Sequence, residues 1–221
     1  MKKSVLFQKA MMVLFAFVLI ALPLITVRSA NAQEVSGPRA RFDDFIAKLK
    51  KEGVIADTEG ETVSYGDYED EWAQINWYQW ITFEQAERFV IGMNMAWSSA
   101  SQTPNNFISG CGVIFNSGTT SSDYLLASVR MDGLIYFNGA RNNRELSYGS
   151  YRYGPASTKG STDFVMVVDH DKAAIYMDGQ RVVRKADMQV MGDYVGLCTL
   201  SGTNKDYGTR CTYKDIFFYT W

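Results

Sequence analysis

Between Gly139 and Gly160 the chain gathers side chains suited to hold a sugar. Arg141, Asn142, Asn143 and Arg144 are followed by Tyr148, Tyr151, Arg152 and Tyr153, interleaved with Gly149 and Gly154. Sugars present apolar C–H faces ringed by hydroxyls, so a site for them combines flat aromatic rings with amides and guanidiniums that hydrogen-bond in fixed directions. Few apolar residues in this stretch would explain it as core. It is therefore expected to be a turn-rich connector whose Asn142, Asn143, Arg144, Tyr148, Tyr151, Arg152 and Tyr153 bind carbohydrate; the rival reading is that the tyrosines only brace a long loop. Tyr207, in the loop 203–207, is placed on the same rim together with Asn105 and Asn106.

Other chemistry is thinner. His170, the single histidine, lies in Asp169-His170-Asp171-Lys172 between two runs that should pair, which predicts an exposed turn. One histidine without clustered partners does not build a transition-metal site. Calcium takes hard oxygen ligands from loops; Asn204 and Asp206 are the candidate ligands, with Asp67, Glu69 and Asp70 as a second group, and neither follows an EF-hand spacing. A retaining glycosidase needs two carboxyl groups about 5–5.5 Å apart. The nearest approach is Glu69-Asp70-Glu71, whose acids are consecutive, so a strand would send Asp70 to the face opposite its neighbours. No Ser-His-Asp or Cys-His arrangement and no phosphate-cradling glycine loop stands out, and no catalytic residue is assigned.

These residues sit in a chain that reads as exported. Lys2, Lys3 and Lys9 precede an apolar run from Ala10 to Val27, and Ala30-Asn31-Ala32 supplies a small-x-small cleavage pattern. The run approaches the length of a membrane span, which leaves a retained anchor as the alternative; Pro23 and the cleavage pattern favour removal. The expected organisation is a signal peptide at 1–32, a helical appendage at 33–60 and a β-sandwich domain at 61–221. The expected address is secreted, extracellular or periplasmic, and associated with the cell surface. Of the 22 bases, four fall in the signal, leaving 18 against 24 acids and a net charge of −6. That balance gives no footprint for nucleic acid.

Three cysteines allow one internal disulfide with one thiol left over, and three pairings are possible. Cys198, inside the apolar run Tyr194–Leu200, reads as a small buried hydrophobe. Cys111 and Cys211 each open a strand, and Cys111–Cys211 is the favoured pair.

The positioning elements follow from periodicity. Phe42, Phe45, Ile46 and Leu49 recur at helical spacing within 39–52, with Lys48, Lys50 and Lys51 near the end. From Glu61 onward short β-type runs alternate with turns, near 87–97, 110–116, 123–131, 134–138, 163–169, 173–178, 181–184, 193–200 and 210–220. Asp132-Gly133 and Asp178-Gly179 each join two such runs, as expected of type I′ hairpin turns. The fold class is all-β: an antiparallel two-sheet β-sandwich, or jelly roll, with a short N-terminal amphipathic helix. Trp97 alternates with Met93 and Met95 as core, while at least one of Trp72, Trp77 and Trp80 is expected on display.

Phe89-Val90-Ile91 leading to Trp97, and then Ser109-Gly110-Cys111-Gly112-Val113-Ile114-Phe115, resemble the opening strands of concanavalin A-like domains. Tyr124–Gly133 is similar to their strand followed by Asp-Gly, Phe164–Val183 to their V-x-V…Y-x-D-G-x-x-V hairpin, and Tyr194-Val195-Gly196-Leu197 to the x-V-G-L strand before the closing one. The ordered set covers about 87–221. It resembles the laminin-G-like branch, including the domain of unknown function linked to 3-keto-glycoside hydrolysis. Ser201-Gly202-Thr203-Asn204 and Gly208-Thr209-Arg210-Cys211 look closest to exported bacterial members. The glucanases of this fold carry E-x-D-x-E or E-x-D-x-x-E on one strand, and that motif is missing here. The resemblance implies a secreted, non-catalytic module that binds carbohydrate or another surface polymer. Its alternatives are a glycoside hydrolase or lyase of the same fold, and a structural subunit that self-associates or contacts a surface protein.

Overall fold

The structure is a computed structural model that describes residues 37–120 and 122–221. The expected signal 1–32 lies outside the described residues. One helix, α1 (Pro38–Lys51), precedes thirteen strands among the described residues: β1 (Glu61–Tyr65), β2 (Tyr68–Trp72), β3 (Trp77–Gln85), β4 (Arg88–Ser99), β5 (Gly110–Ser117), β6 (Tyr124–Arg130), β7 (Leu134–Arg141), β8 (Arg144–Arg152), β9 (Lys159–Asp169), β10 (Lys172–Met177), β11 (Gln180–Lys185), β12 (Tyr194–Ser201) and β13 (Thr209–Thr220). A seven-stranded sheet runs β1-β13-β4-β9-β10-β11 with β2 also on β13, and a six-stranded sheet runs β3-β12-β5-β6-β7-β8. Both are antiparallel, and together they form the jelly-roll sandwich.

Turn chemistry sets the meanders. Asp178 and Gly179 take φ of 50° and 77° between the paired Met177 and Gln180, the two positive angles of a type I′ turn. Asp132-Gly133 differs from that expectation. Only Gly133 has positive φ, at 81°, and its N–H donates to the Arg130 carbonyl at 3.1 Å. The link is a three-residue loop, a tight turn closed by a left-handed glycine. A Cβ at Gly133 would lie 2.1 Å from the Gly154 carbonyl oxygen, so no other residue fits there.

The largest correction concerns the connector 139–160. Residues 144–152 are strand β8, paired with β7 along its length. Asn142 and Asn143 supply the turn with φ of 50° and 60°, the asparagine version of a type I′ hairpin. Gly149, at φ 106°, sits beside the register shift at Phe137/Asn138 and offsets the alternation that would have announced the strand.

Alternate residues of both sheets fill the interior: Phe89, Ile91, Met93, Met95 and Trp97 from β4 meet Val113 and Phe115 from β5 and Leu125, Ala127 and Val129 from β6. Cys111 and Cys211 form a disulfide that joins β5 in one sheet to β13 in the other; Cys198 is the buried free thiol. Tyr213 is fully buried between the sheets and donates its hydroxyl proton to the Cys198 carbonyl at 2.7 Å.

Helix α1 covers part of the outer face of the seven-stranded sheet. Its apolar stripe Phe42, Ile46 and Leu49 packs with Val90, Val167, Ala174, Tyr176, Phe217 and Tyr219. Gly92 makes the seat: a Cβ there would come within 2.5 Å of the Phe42 ring. Lys48, Lys50 and Lys51 in the last turn complement the helix dipole. No described helix is long and apolar enough to cross a membrane.

Candidate functional site

On β6 the inward residues Leu125, Ala127 and Val129 belong to the core, so Tyr124, Leu126, Ser128 and Arg130 point outward. On β7 the same logic turns Tyr136, Asn138 and Ala140 outward. Register then sets Ser128 beside Tyr136 and Leu126 beside Asn138, with Gly112 and Cys198 next in the Ser128 row and Trp80 beyond them.

This outer face has an apolar half and a polar half. The apolar half is Ile114, Leu126, Cys198 and Leu200 with the rings of Tyr78, Trp80 and Tyr124. At about 4.8 Å per strand, β3 and β6 are roughly 14 Å apart. Yet the Tyr124 ring lies 5.6 Å from Tyr78 and 5.3 Å from Trp80. The rings therefore reach over the two intervening strands. Tyr78 stacks on Trp80 at 5.3 Å, and its hydroxyl hydrogen-bonds that of Tyr124. Burial, with the Cys198 thiol and Glu145 nearby, pushes the Tyr78 pKa up to about 12.

The polar half centres on Arg130, which is 6% exposed. Its Nε donates to Ser128 Oγ at 2.8 Å, and its guanidinium carbon lies 4.6 Å from the centre of the Tyr136 ring. Burial lowers its pKa, against the opposing fields of Tyr136 and Asp132. Asp132 accepts from the Leu134 N–H and from the Tyr136 hydroxyl, each at 3.0 Å. Asn138 Oδ1 is buried without a hydrogen-bond partner. Tyr78, Trp80 and Tyr136 are half-buried, so part of each ring is accessible beside these polar atoms.

The residues singled out from the sequence do not converge. Strand β8 is 9 residues long, roughly 26 Å at about 3.3 Å per residue, so Asn142, Asn143 and Arg144 at its start lie far from Arg152 and Tyr153 at its end. Arg141, Asn142 and Arg144 line a shallow concavity with Gln189, to which Arg141 is hydrogen-bonded at 3.2 Å. Tyr148, Tyr151 and Tyr153 turn inward and pack half-buried against the core. Their hydroxyls serve the fold: Tyr148 accepts from the Gln189 N–H at 3.0 Å, and Tyr153 donates to the Arg130 carbonyl at 2.7 Å. Arg152 donates to the Gly154 carbonyl at 3.0 Å.

Tyr207 belongs to a separate groove on the seven-stranded sheet, about 660 Å³, with Ser98, Gln102, Lys159, Arg210 and Thr212. The Arg210 guanidinium lies 4.5 Å over the Tyr207 ring. Glu69 and Glu71 do point to one face of β2, but both flank Arg210, whose Nε donates to Glu71 at 2.6 Å. Asp70 faces the other way and accepts from Gln79. Asn105 touches this end, its N–H donating to the Gly202 carbonyl at 3.0 Å.

Asn204 and Asp206 are exposed in the β12–β13 loop. No group of three or more His, Cys, Asp or Glu suited to a metal occurs among the described residues. His170 takes positive φ in its turn. Arg88 Nε donates to its Nε2 at 2.9 Å, and its Nδ1 lies 3.3 Å from Glu87.

Tyr78, Trp80, Tyr124, Arg130, Tyr136 and Asn138 were not singled out as a site from the sequence. The available signal was polar and aromatic residues at every second position of two adjacent runs, Tyr124–Arg130 and Leu134–Asn138.

No protein-family model matches the sequence, and no curated protein matches it. Among solved structures, the A. japonicus protein CB05 is similar with a TM-score of 0.51 at 10% identity, over 74% of this chain and 26% of that one. Carbohydrate-binding module CBM66 from Bacillus subtilis has a TM-score of 0.49 at 14% identity, over 72% and 94% of the two chains. Sheep galectin-11 has 0.40 at 9%, over 62% and 98%. At 10% identity the likeness to CB05 is one of fold alone.

Proposed function

We propose that this protein is a secreted, non-catalytic binding module that recognises a carbohydrate or another surface polymer on the outer face of its six-stranded sheet. One observation carries the reading. On one outer face the partly accessible rings of Tyr78 and Trp80 lie toward one edge, and Tyr136 lies on β7 two residues from Asn138, whose buried Oδ1 the fold does not satisfy. Buried polar groups are normally paired, and a polyhydroxylated ligand offers donors together with apolar faces for the rings. The carbohydrate-binding module and the galectin of similar fold are consistent with this use of the architecture.

Export is part of the proposal: a signal at 1–32 is removed, and 33–60 is the helical lead into the domain 61–221. The Cys111–Cys211 disulfide supports it, since disulfides persist in oxidising compartments. The hydrolase alternative loses its nearest carboxylate pair, because Glu69 and Glu71 are held by Arg210.

A glycan and polysaccharide binding screen tests the reading, with wild type beside Trp80→Ala and Tyr136→Ala. Binding by the wild type that both variants lose, at unchanged folding, supports it. Retention by both variants removes this face from consideration.

A second reading, a subunit of a surface assembly, is favoured by edge strand β3, where Trp77 and Ile81 are 60% and 40% exposed. An open strand edge with exposed apolar side chains invites pairing with another chain. Concentration-dependent association in sedimentation, abolished by Trp77→Ser, supports that reading; a monomer at every concentration ends it.

A further inference from the structure

We infer that the ligand is an acidic saccharide whose carboxylate or sulfate group seats on Arg130. This rests on the carbohydrate-binding reading above and specifies the chemistry of what is bound. Arg130 is outward-facing yet 6% exposed, and its Nε–Ser128 hydrogen bond leaves the two terminal amino groups free of side-chain partners among the described residues. No described carboxylate lies within ion-pair distance of it. A buried guanidinium without a counter-ion is costly, and its fork matches the two oxygens of a carboxylate or sulfate.

The groups facing Arg130 do not supply that anion. Asp132, the nearest acid, has both oxygens engaged by the Leu134 N–H and the Tyr136 hydroxyl. Ser128 and Tyr136 are neutral, and the Cys198 thiol is held protonated by burial. The Tyr136 ring fixes one face of the guanidinium, so its edge is preset to receive a planar acid.

The second requirement is a hydroxyl donor. Asn138 lies one outward position further along β7 than Tyr136, roughly 7 Å on, with its Oδ1 unpaired. An anion on the guanidinium over Tyr136 and a hydroxyl at Asn138 are groups found together on acidic sugars or on neighbouring units of an acidic polymer. The chain is itself net negative, at −2 overall, so diffuse attraction does not explain capture of a polyanion; a focal cation is needed.

The test uses immobilised polygalacturonate, dextran sulfate and neutral dextran, with wild type, Arg130→Met and Arg130→Lys compared at two salt concentrations. The expected result is retention on an acidic polymer that weakens with salt and falls roughly 10- to 100-fold in Arg130→Met, as for loss of hydrogen bonds to a charged group. Whichever acidic arm binds identifies carboxylate or sulfate. If Arg130→Met fails to fold, Arg130→Lys keeps the charge without the fork and is expected to bind several-fold more weakly at an unchanged melting temperature. Dextran bound as well as the acids, and indifferent to Arg130, overturns the anion and leaves the carbohydrate reading standing. Retention on none of the three overturns the acidic ligand, and the wider glycan screen then decides the carbohydrate reading.

Discussion

The hydroxyl of Tyr153 donates to the backbone carbonyl of Arg130 at 2.7 Å, tying the exit of β8 to the end of β6 that carries the site arginine. Tyr153, a candidate for stacking on a ligand in the sequence, packs its ring against the core and holds the backbone at Arg130. Burial holds its hydroxyl protonated well above the ordinary tyrosine range. Tyr153→Phe keeps the ring and leaves the Arg130 carbonyl one donor fewer, with the Gly133 N–H remaining. The expected loss is about 1 kcal/mol of stability, read by denaturant unfolding, together with weaker polymer retention. Retention equal to wild type would separate the hydrogen bond from the site.

Alkaline titration offers a signature of two part-buried tyrosines, Tyr65 on β1 and Tyr78 in the aromatic half. Burial, then hydrogen bonding and charge from Glu84, raises Tyr65 to about 12, and burial raises Tyr78 to about 12. Both keep their protons in the folded state where the unfolded chain ionises near 10. Between pH 10 and 12 the unfolded state therefore binds fewer protons, and stability falls as pH rises. Below 10 these two groups contribute no slope. Phenolate absorbance during titration should show late-ionising tyrosines, one fewer in Tyr78→Phe.

The cysteines give a sharp count. Native protein is expected to react with no thiol reagent at Cys198, which is fully buried with its thiol pKa pushed up by that burial. Denatured, unreduced protein should yield one thiol. The Cys111–Cys211 bridge closes a separation of 100 residues, for which chain entropy gives about 4–5 kcal/mol. Cys111→Ala/Cys211→Ala should lower the unfolding midpoint accordingly.

Seating of α1 is equally testable. Phe42 stacks on Phe217 at 5.4 Å over Gly92. Phe42→Ala is expected to cost about 3–5 kcal/mol as a large-to-small change in a packed cluster. Gly92→Ala should unseat the helix by clash. A chain starting at 61 should bind hydrophobic dye through exposed Val90, Val167 and Tyr176, and lack of dye binding would show α1 to be dispensable.

Strands whose turns declare themselves were legible in the sequence. Asp178-Gly179 marked its hairpin because aspartate and glycine tolerate the two positive φ angles found there. Asn142-Asn143 does the same work, but the following strand is polar on its exposed edge and interrupted at Gly149, so its residues read as loop. Tyr148 and Tyr151 look alike as ligand platforms or as braces until the partner strand is known, since Ile135 opposite Tyr151 turns that ring inward. The site suffered the same blindness in reverse. Arg130 and Asn138 sit four residues apart in register on neighbouring strands, and nothing local to either reveals that the guanidinium leans along the sheet to Ser128.

The bridge from Cys111 to Cys211 also decides how the molecule bears tension. Residues 112–210, which include β6, β7 and the polar half of the proposed face but not Tyr78 and Trp80 of β3, form a covalently closed loop. A load applied to β6 or β7 against a tether at either chain end is shared by the two arms of that loop and leaves it at the sulfurs, between β5 and β13. There it meets the strand paired with β1, β2 and β4 at once. Arg130, Ser128 and Tyr136 stay within the closed loop even when the segments outside it, β3 with Tyr78 and Trp80 among them, have yielded.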